Sequence, residues 1–208
     1  MPSDFVPDSS DTNVDSARHC LEPGHRVRHQ TLTIALHWIT VLGVLAQFGL
    51  AILHAQANDV DFRRAMLTAH QSLGVLILLL VIGRIGWRLR GMRLPPFPKS
   101  MSKSHQWGAR LSEWGLYGLL LAQPITGLTT TVLRGRVFSL FGFSVPRLMA
   151  PNRYWAGVGA LHSLGAYTLA ALVLIHAGAA IMHRLVANDG VLESMLPARR
   201  RKESRQAE

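Results

Sequence analysis

Two histidines lie in a part of the sequence where an ionisable side chain is costly. His162 and His176 belong to the stretch ALHSLGAYTLAALVLIHAGAAIM, which is otherwise almost entirely apolar. Fourteen residues are nearly four turns of α-helix, so both imidazoles share one helix face, about 21 Å apart along the axis. Ionisable residues in such surroundings indicate function, and imidazole is above all a ligand for metals.

Two more histidines have the same character. His37 stands in TIALHWIT and His70 in LTAHQSLG, each near one end of an apolar stretch. A hydrogen-bonded packing role explains any one of these four histidines equally well. Whether the four act together depends on the elements that carry them.

Four apolar stretches are each long enough to cross a bilayer as a helix, which takes about 20 residues. They cover residues 32–53, 65–89, 111–133 and 157–185. Pro124 in the third stretch need not end it, because membrane helices tolerate proline. Only 16% of the residues are charged, and polar stripes along the stretches are nearly absent. The sequence therefore predicts an all-α fold, an integral membrane four-helix bundle.

The polar ends of the chain frame this bundle. Residues 1–29 read as a disordered extension, because they are acidic and rich in proline and serine and lack a signal-peptide pattern. Residues 30–197 form the predicted transmembrane domain, and residues 198–208 a basic tail. Cys20 is the single cysteine. It excludes an internal disulfide, an iron–sulfur cluster and a covalently attached haem.

The net charge of +10 is a topology signal. Of the 22 Lys and Arg residues, sixteen fall in the N-terminal tail, in residues 84–110 around the link between the second and third stretches, and beyond residue 182. The positive-inside rule places this side in the cytoplasm, and with it both termini. Nucleic acid is excluded as a partner, because the aromatic residues lie at membrane boundaries instead of among the basic ones.

This topology sorts the histidines into two pairs. The first helix runs outward, so His37 lies at the depth of His176, near the inner face. The second runs inward, so His70 lies at the depth of His162, near the outer face. Each pair comes from two helices, as bis-histidine ligation of a haem iron requires, and such ligation favours electron transfer. The pattern predicts two b-type haems, one near each face.

Several neighbouring residues suit a large flat anionic ligand. Small residues occur beside the histidines at Gly43, Gly74, Gly165 and Gly178. Haem propionates need cationic partners at the membrane edge. The candidates are Arg63, Arg64, Arg84 and Arg153. Two further histidines, His54 and His183, are interpreted as interfacial residues.

The chain resembles the bacterial cytochrome b561 family of small dihaem membrane proteins. The matching segments recur in the family's order over residues 30–197: LHWIT, AHQSLGVLILLLVIGRIGWRLR, WGLYGLLLAQPITGL, HSLGAYTLAALVLIHAGAA and DGVLESMLP. The resemblance implies haem ligation by His37, His70, His162 and His176. It also implies a location in the bacterial inner membrane and electron exchange with quinone. Some members resemble superoxide oxidases that pass the electron to ubiquinone.

One position departs from the family. Many members have a histidine before the tryptophan early in the third helix, where this chain reads SEWGLY and has Glu113. That position is not an assigned axial ligand. A carboxylate there suits either proton uptake during quinone reduction or an ion pair with a nearby arginine.

The leading hypothesis is a transmembrane electron carrier in contact with lipid and quinone. Its electron donor is superoxide or a redox protein. With superoxide as the donor the protein is an enzyme, a superoxide:quinone oxidoreductase, and with a redox protein it is an electron carrier. One alternative is the cytochrome b subunit of a hydrogenase or dehydrogenase, with a partner docked on residues 137–155. A second is a metal-ion transporter with a histidine relay, which predicts carboxylates or thiols beside the histidines.

Overall fold

The computed structural model describes residues 31–90, 102–187, 192, 195 and 196. Its four long helices are α1 (Thr31–Gln56), α2 (Val60–Leu89), α3 (Lys103–Leu133) and α4 (Trp155–Met182). A π-helical turn, His183–Ala187, follows α4. All four helices are long and apolar enough to cross a membrane, which confirms the predicted membrane bundle. The predicted N-terminal extension (1–29) and C-terminal tail (198–208) lie outside the described residues.

Two helices begin earlier than hydropathy predicts, because polar residues cap them. The Asp59 carboxylate accepts a hydrogen bond from the Phe62 backbone N–H at 2.7 Å and starts α2 at Val60. The Ser102 hydroxyl accepts from the His105 N–H at 3.4 Å and starts α3 at Lys103. Such caps satisfy the free donors of a first turn. The added turns are polar and extend beyond the apolar spans.

The helices pack mainly against their neighbours in the sequence. Among the described elements, the helix pairs whose backbones approach closely are α1–α2, α2–α3 and α3–α4. The buried core is small, and Val81 at its centre has an exposed fraction of 0%. Its members are Val44, Ile77, Val81, Tyr117, Leu120 and Leu169. Many large apolar side chains lie exposed along the helices, as expected of surfaces that face lipid.

A short β-hairpin interrupts the connection between α3 and α4, a segment to which the sequence analysis assigned no secondary structure. Strands β1 (Phe138–Leu140) and β2 (Phe143–Val145) pair antiparallel. Phe141 and Gly142 form the two-residue turn with φ of 53° and 83°, and two positive values are characteristic of tight hairpins. The Phe141 N–H donates to the Ser72 hydroxyl at 2.8 Å, which fastens the hairpin to α2 two residues from His70.

Gly135 closes the connection at the end of α3. Its φ is 62°, and the nearby Asn152 N–H donates to the Leu133 carbonyl at 2.9 Å. A Cβ at this position would lie 2.5 Å from the Pro151 backbone nitrogen. Both the conformation and the close approach therefore require glycine here.

We expect Gly135→Ala to destabilise the protein more than Gly142→Ala does. Both positions have positive φ, but a Cβ at Gly142 would meet nothing within 4 Å. Gly142→Ala should therefore cost only the conformational strain, about 1–2 kcal/mol, whereas Gly135→Ala adds a steric clash. Thermal unfolding in detergent, followed by circular dichroism, measures the difference. Equal losses of stability would show that the contact with Pro151 does not constrain this loop.

Candidate functional site

The structure brings the four predicted histidines together as two pairs. His70 of α2 and His162 of α4 have ring centroids 6.3 Å apart and ring planes at 87°. His37 of α1 and His176 of α4 have centroids 6.4 Å apart and planes at 52°. Both pairs are those that the sequence analysis expected from depth alone. Their role as haem ligands remains a prediction.

The pairs connect helices that are not close-packed neighbours. The rings meet across α2–α4 and α1–α4, whereas the close backbone contacts lie between consecutive helices. In each pair, two imidazoles thus extend towards each other across a wider interhelical space. This arrangement suits a ligand bound between the rings.

The separation of the rings fits two axial ligands on one metal. A metal–imidazole nitrogen bond is about 2.0 Å long, and with about 1.2 Å from nitrogen to ring centre, two opposed imidazoles have centroids about 6.3 Å apart. The observed 6.3 and 6.4 Å agree with this value. Within the described part of the chain, no group of three or more His, Cys, Asp and Glu side chains could hold a metal ion. Each candidate donor set is therefore a pair of imidazoles, and a pair of imidazoles is the set that a low-spin b haem takes.

Backbone carbonyls orient His70 and His162, called the outer histidines after the side of the membrane predicted for them. The Nδ1 of His70 lies 3.2 Å from the Gln47 carbonyl oxygen, and the Nδ1 of His162 lies 3.0 Å from that of Gln123. The Thr126 hydroxyl lies 3.2 Å from the same Nδ1 of His162. Because a carbonyl only accepts, Nδ1 carries the proton in this arrangement and Nε2 is left for a metal.

Sequence reasoning missed these orienting partners. The atoms that hold the rings are main-chain oxygens, and every residue type has one. The available signal was the glutamine side chain itself, since Gln47 and Gln123 are polar residues inside apolar spans. A polar residue within a membrane helix calls for a partner, which each of these two finds at a histidine.

Two arginines occupy the end of the bundle near His37. Arg84 donates to the Thr40 hydroxyl at 3.0 Å, and its guanidinium lies 5.4 Å from the centroid of the Tyr117 ring. Arg88 forms an ion pair with Glu113. The structure thus contains the arginine ion pair that was one of the two interpretations of Glu113. Of the four arginines named as propionate candidates, Arg84 is the one that contacts α1 close to the inner pair, because its partner Thr40 lies one helical turn from His37.

The other propionate candidates lie at the opposite end. Arg64 forms an exposed ion pair with Asp61 at 3.2 Å, and Arg153 donates to the Tyr154 hydroxyl at 3.0 Å. The Arg63 carbonyl accepts from Nδ1 of His54 at 3.0 Å, so His54 joins the end of α1 to α2. Any contact of these arginines with a propionate remains a prediction.

Three of the four glycines beside the histidines face side chains of a neighbouring helix. A Cβ at Gly43 would lie 3.3 Å from Ile77, and one at Gly74 would lie 3.0 Å from Nε2 of Gln47. A Cβ at Gly165 would overlap the Gln123 carboxamide. Only Gly178 has no such neighbour within 4 Å among the described residues. Helix packing therefore accounts for Gly43, Gly74 and Gly165, and Gly178 alone offers an open surface beside the inner pair.

The chain is similar to known proteins over most of its length. Residues 28–198 match the family model of prokaryotic cytochrome b561. The chain is 30% identical over 173 residues to cytochrome b561 homolog 2 of Escherichia coli K12, covering 81% of this chain and 91% of that one. It is 30% identical over 174 residues to the probable superoxide oxidase CybB of Yersinia pestis, covering 83% and 98%. It is 28% identical over 178 residues to cytochrome b561 homolog 1 of E. coli K12, covering 83% and 99%.

The match spans all four helices and both histidine pairs. Four membrane-spanning helices and a family of b-type membrane cytochromes together indicate electron transfer in a bacterial membrane. This chain belongs to the prokaryotic cytochrome b561 family.

Proposed function

We propose that the protein carries electrons across the bacterial inner membrane through two b haems. His37 and His176 hold the inner haem, and His70 and His162 hold the outer one. The observation that carries this proposal is the agreement of both ring separations, 6.4 and 6.3 Å, with the span of two axial imidazoles. A b haem held by these histidines would supply one-electron redox chemistry.

The helices contribute unequally to the two sites. Helix α4 provides a ligand to each, α1 and α2 provide one each, and α3 provides the carbonyl of Gln123 that orients His162. The two sites lie about 21 Å apart along α4, because fourteen residues separate its two histidines. The bundle thus holds one site near each face of the hydrocarbon layer.

We further propose superoxide as the electron donor and membrane quinone as the acceptor. The connection that contains the hairpin, residues 134–154, has four arginines and no acidic residue. Arg134 lies over the Trp155 ring at 4.9 Å and Arg153 over the Tyr154 ring at 5.0 Å. Such a basic surface raises the local concentration of a small anion.

The relative from Yersinia pestis is named a probable superoxide oxidase. Two superoxide anions give two O₂ and two electrons, which with two protons reduce one quinone to quinol.

Double substitutions test the ligand pairing. We expect two haems per chain in the unaltered protein, one in His70→Ala/His162→Ala and none in His70→Ala/His176→Ala, because the first change empties one site and the second breaks both. Haem per chain is measured by the pyridine haemochrome assay on purified protein. His54→Ala is the matched control and should retain two haems, since His54 bonds the Arg63 carbonyl. Two haems lost from the first variant, or one kept by the second, would refute the pairing.

Charge reversal on the outer connection tests the donor. Arg136 and Arg147 are both exposed, and we expect Arg136→Glu/Arg147→Glu to slow haem reduction by superoxide about 10-fold at low ionic strength and much less at high salt. Stopped-flow absorbance in liposomes containing ubiquinone measures the rate. Arg90→Glu, at the far end of α2, should leave it unchanged. Haem reduction by quinol but not by superoxide would refute superoxide as the electron donor.

The topology is testable with the single native cysteine. If both termini are cytoplasmic, a membrane-impermeant maleimide should label Cys20 in spheroplasts only after the membrane is disrupted. In a Cys20→Ser background, Ser144→Cys in strand β2 should be labelled in intact spheroplasts, because Ser144 is exposed on the outer hairpin. Labelling in the reverse order would invert the assignment of inner and outer sites.

A further inference from the structure

A short sequence pattern occurs twice, once in the helical hairpin formed by α1 and α2 and once in the helical hairpin formed by α3 and α4. Leu-Ala-Gln stands at 45–47 in α1 and again at 121–123 in α3. Ser-Leu-Gly stands at 72–74 in α2 and again at 163–165 in α4, directly after the outer histidines or one residue beyond. Each hairpin therefore carries a glutamine on its first helix and an outer histidine on its second. The two helical hairpins thus share one arrangement of glutamine, histidine and glycine.

In the α1–α2 hairpin, glutamine and histidine are joined by two bonds that run in opposite directions. The His70 ring donates to the Gln47 carbonyl at 3.2 Å, and the Gln47 carboxamide donates to the His70 carbonyl at 2.8 Å. Each side chain thus binds the other residue's main chain. The bonds fix both the ring and the backbone that carries it.

The α3–α4 hairpin repeats this arrangement. The His162 ring donates to the Gln123 carbonyl at 3.0 Å. In the amide orientation that pairs both of its ends, the Gln123 side chain donates to the His162 carbonyl at 3.1 Å and accepts from the Ala166 N–H at 3.0 Å. Two separate helix pairs therefore arrive at the same reciprocal contact.

The glycines of the repeat make room for these carboxamides. A Cβ at Gly74 would lie 3.0 Å from Nε2 of Gln47, and a Cβ at Gly165 would overlap the side chain of Gln123. In both hairpins the glycine lies three or four residues after the histidine, about one turn further along the helix. Glutamine, histidine and glycine thus act as a set.

We propose that Gln47 and Gln123 are positioning residues of the outer haem site. Each carboxamide fastens the main chain of its ligand histidine, so that the ring's N–H remains on the glutamine carbonyl and Nε2 remains directed at the iron. The pair holds the two outer rings near perpendicular, at 87°. The inference rests on the proposed haem function.

The test uses variants that keep a single haem. In His37→Ala/His176→Ala only the outer haem remains, and adding Gln47→Leu or Gln123→Leu should speed its transfer to excess apomyoglobin about 10-fold, the usual effect of removing a group that orients a metal ligand. The same glutamine changes in His70→Ala/His162→Ala should leave loss of the inner haem unaltered. If either double-alanine variant fails to retain one haem, the proposed ligand pairing is refuted. That result is obtained before any glutamine is substituted, so it is distinct from a failure of the glutamine proposal.

Gln71→Leu is the matched control. Gln71 adjoins His70 but donates to the Thr131 hydroxyl at 3.0 Å, so its loss removes a bond between α2 and α3 at the same depth without touching a ligand.

The low-spin ferric EPR signal of the outer haem is the second measurement, because it depends on the angle between the imidazole planes. It should change in the Gln47 and Gln123 variants of the otherwise unaltered two-haem chain, and should not change in Gln71→Leu. Lowered thermal stability in all three variants, with unaltered haem loss and EPR signal, would show a structural role only and overturn the inference.

Discussion

The proposed haem sites depend on a separation of about 6 Å between two imidazole rings, and the bundle provides that separation in two ring pairs. Helices that packed side by side at the histidines would bring their backbones too close to leave a macrocycle between the rings. The close contacts instead run between consecutive helices, and the histidines meet across α1–α4 and α2–α4. The small buried core follows from this, because much of each helix faces either lipid or the space between the rings.

Among the described residues, the charged side chains that are not fully exposed, those of Arg84, Arg88 and Glu113, lie at one end of the bundle. Arg88 pairs with Glu113 and lies 5.0 Å from the centroid of the Trp114 ring, while Arg84 lies over Tyr117. Ion pairing and cation–π contacts offset the cost of placing guanidinium groups near hydrocarbon.

The alternative function, a metal-ion transporter with a histidine relay, predicts carboxylates or thiols as further ligands beside the histidines. In the residues that the structure describes, neither ring pair belongs to a larger cluster of metal-binding side chains.

Much of the architecture was predictable because the bilayer simplifies the problem. Span length follows from membrane thickness, and depth along a span follows from helix rise, so the pairing of His37 with His176 and of His70 with His162 needed no knowledge of side-chain contacts. The capped starts of α2 and α3 were missed because polar turns carry no hydropathy signal. The hairpin depends on the positive φ of Phe141, which residue type alone does not reveal. The orienting bonds of the outer histidines end on main-chain oxygens, so the sequence indicates them only indirectly, through two glutamines inside apolar spans.

One helix, α4, carries one histidine of each ring pair, and this has a consequence for the spacing of the proposed haem sites. His162 and His176 are fixed on α4 by fourteen residues of continuous backbone. Their partners, His37 and His70, lie on two other helices, α1 and α2. If each pair holds a haem, as proposed, the spacing of the two haem sites along the bundle is set by the backbone of a single helix. Substitutions that repack α1 or α2 would then alter one site at a time and leave the spacing between the two sites unchanged.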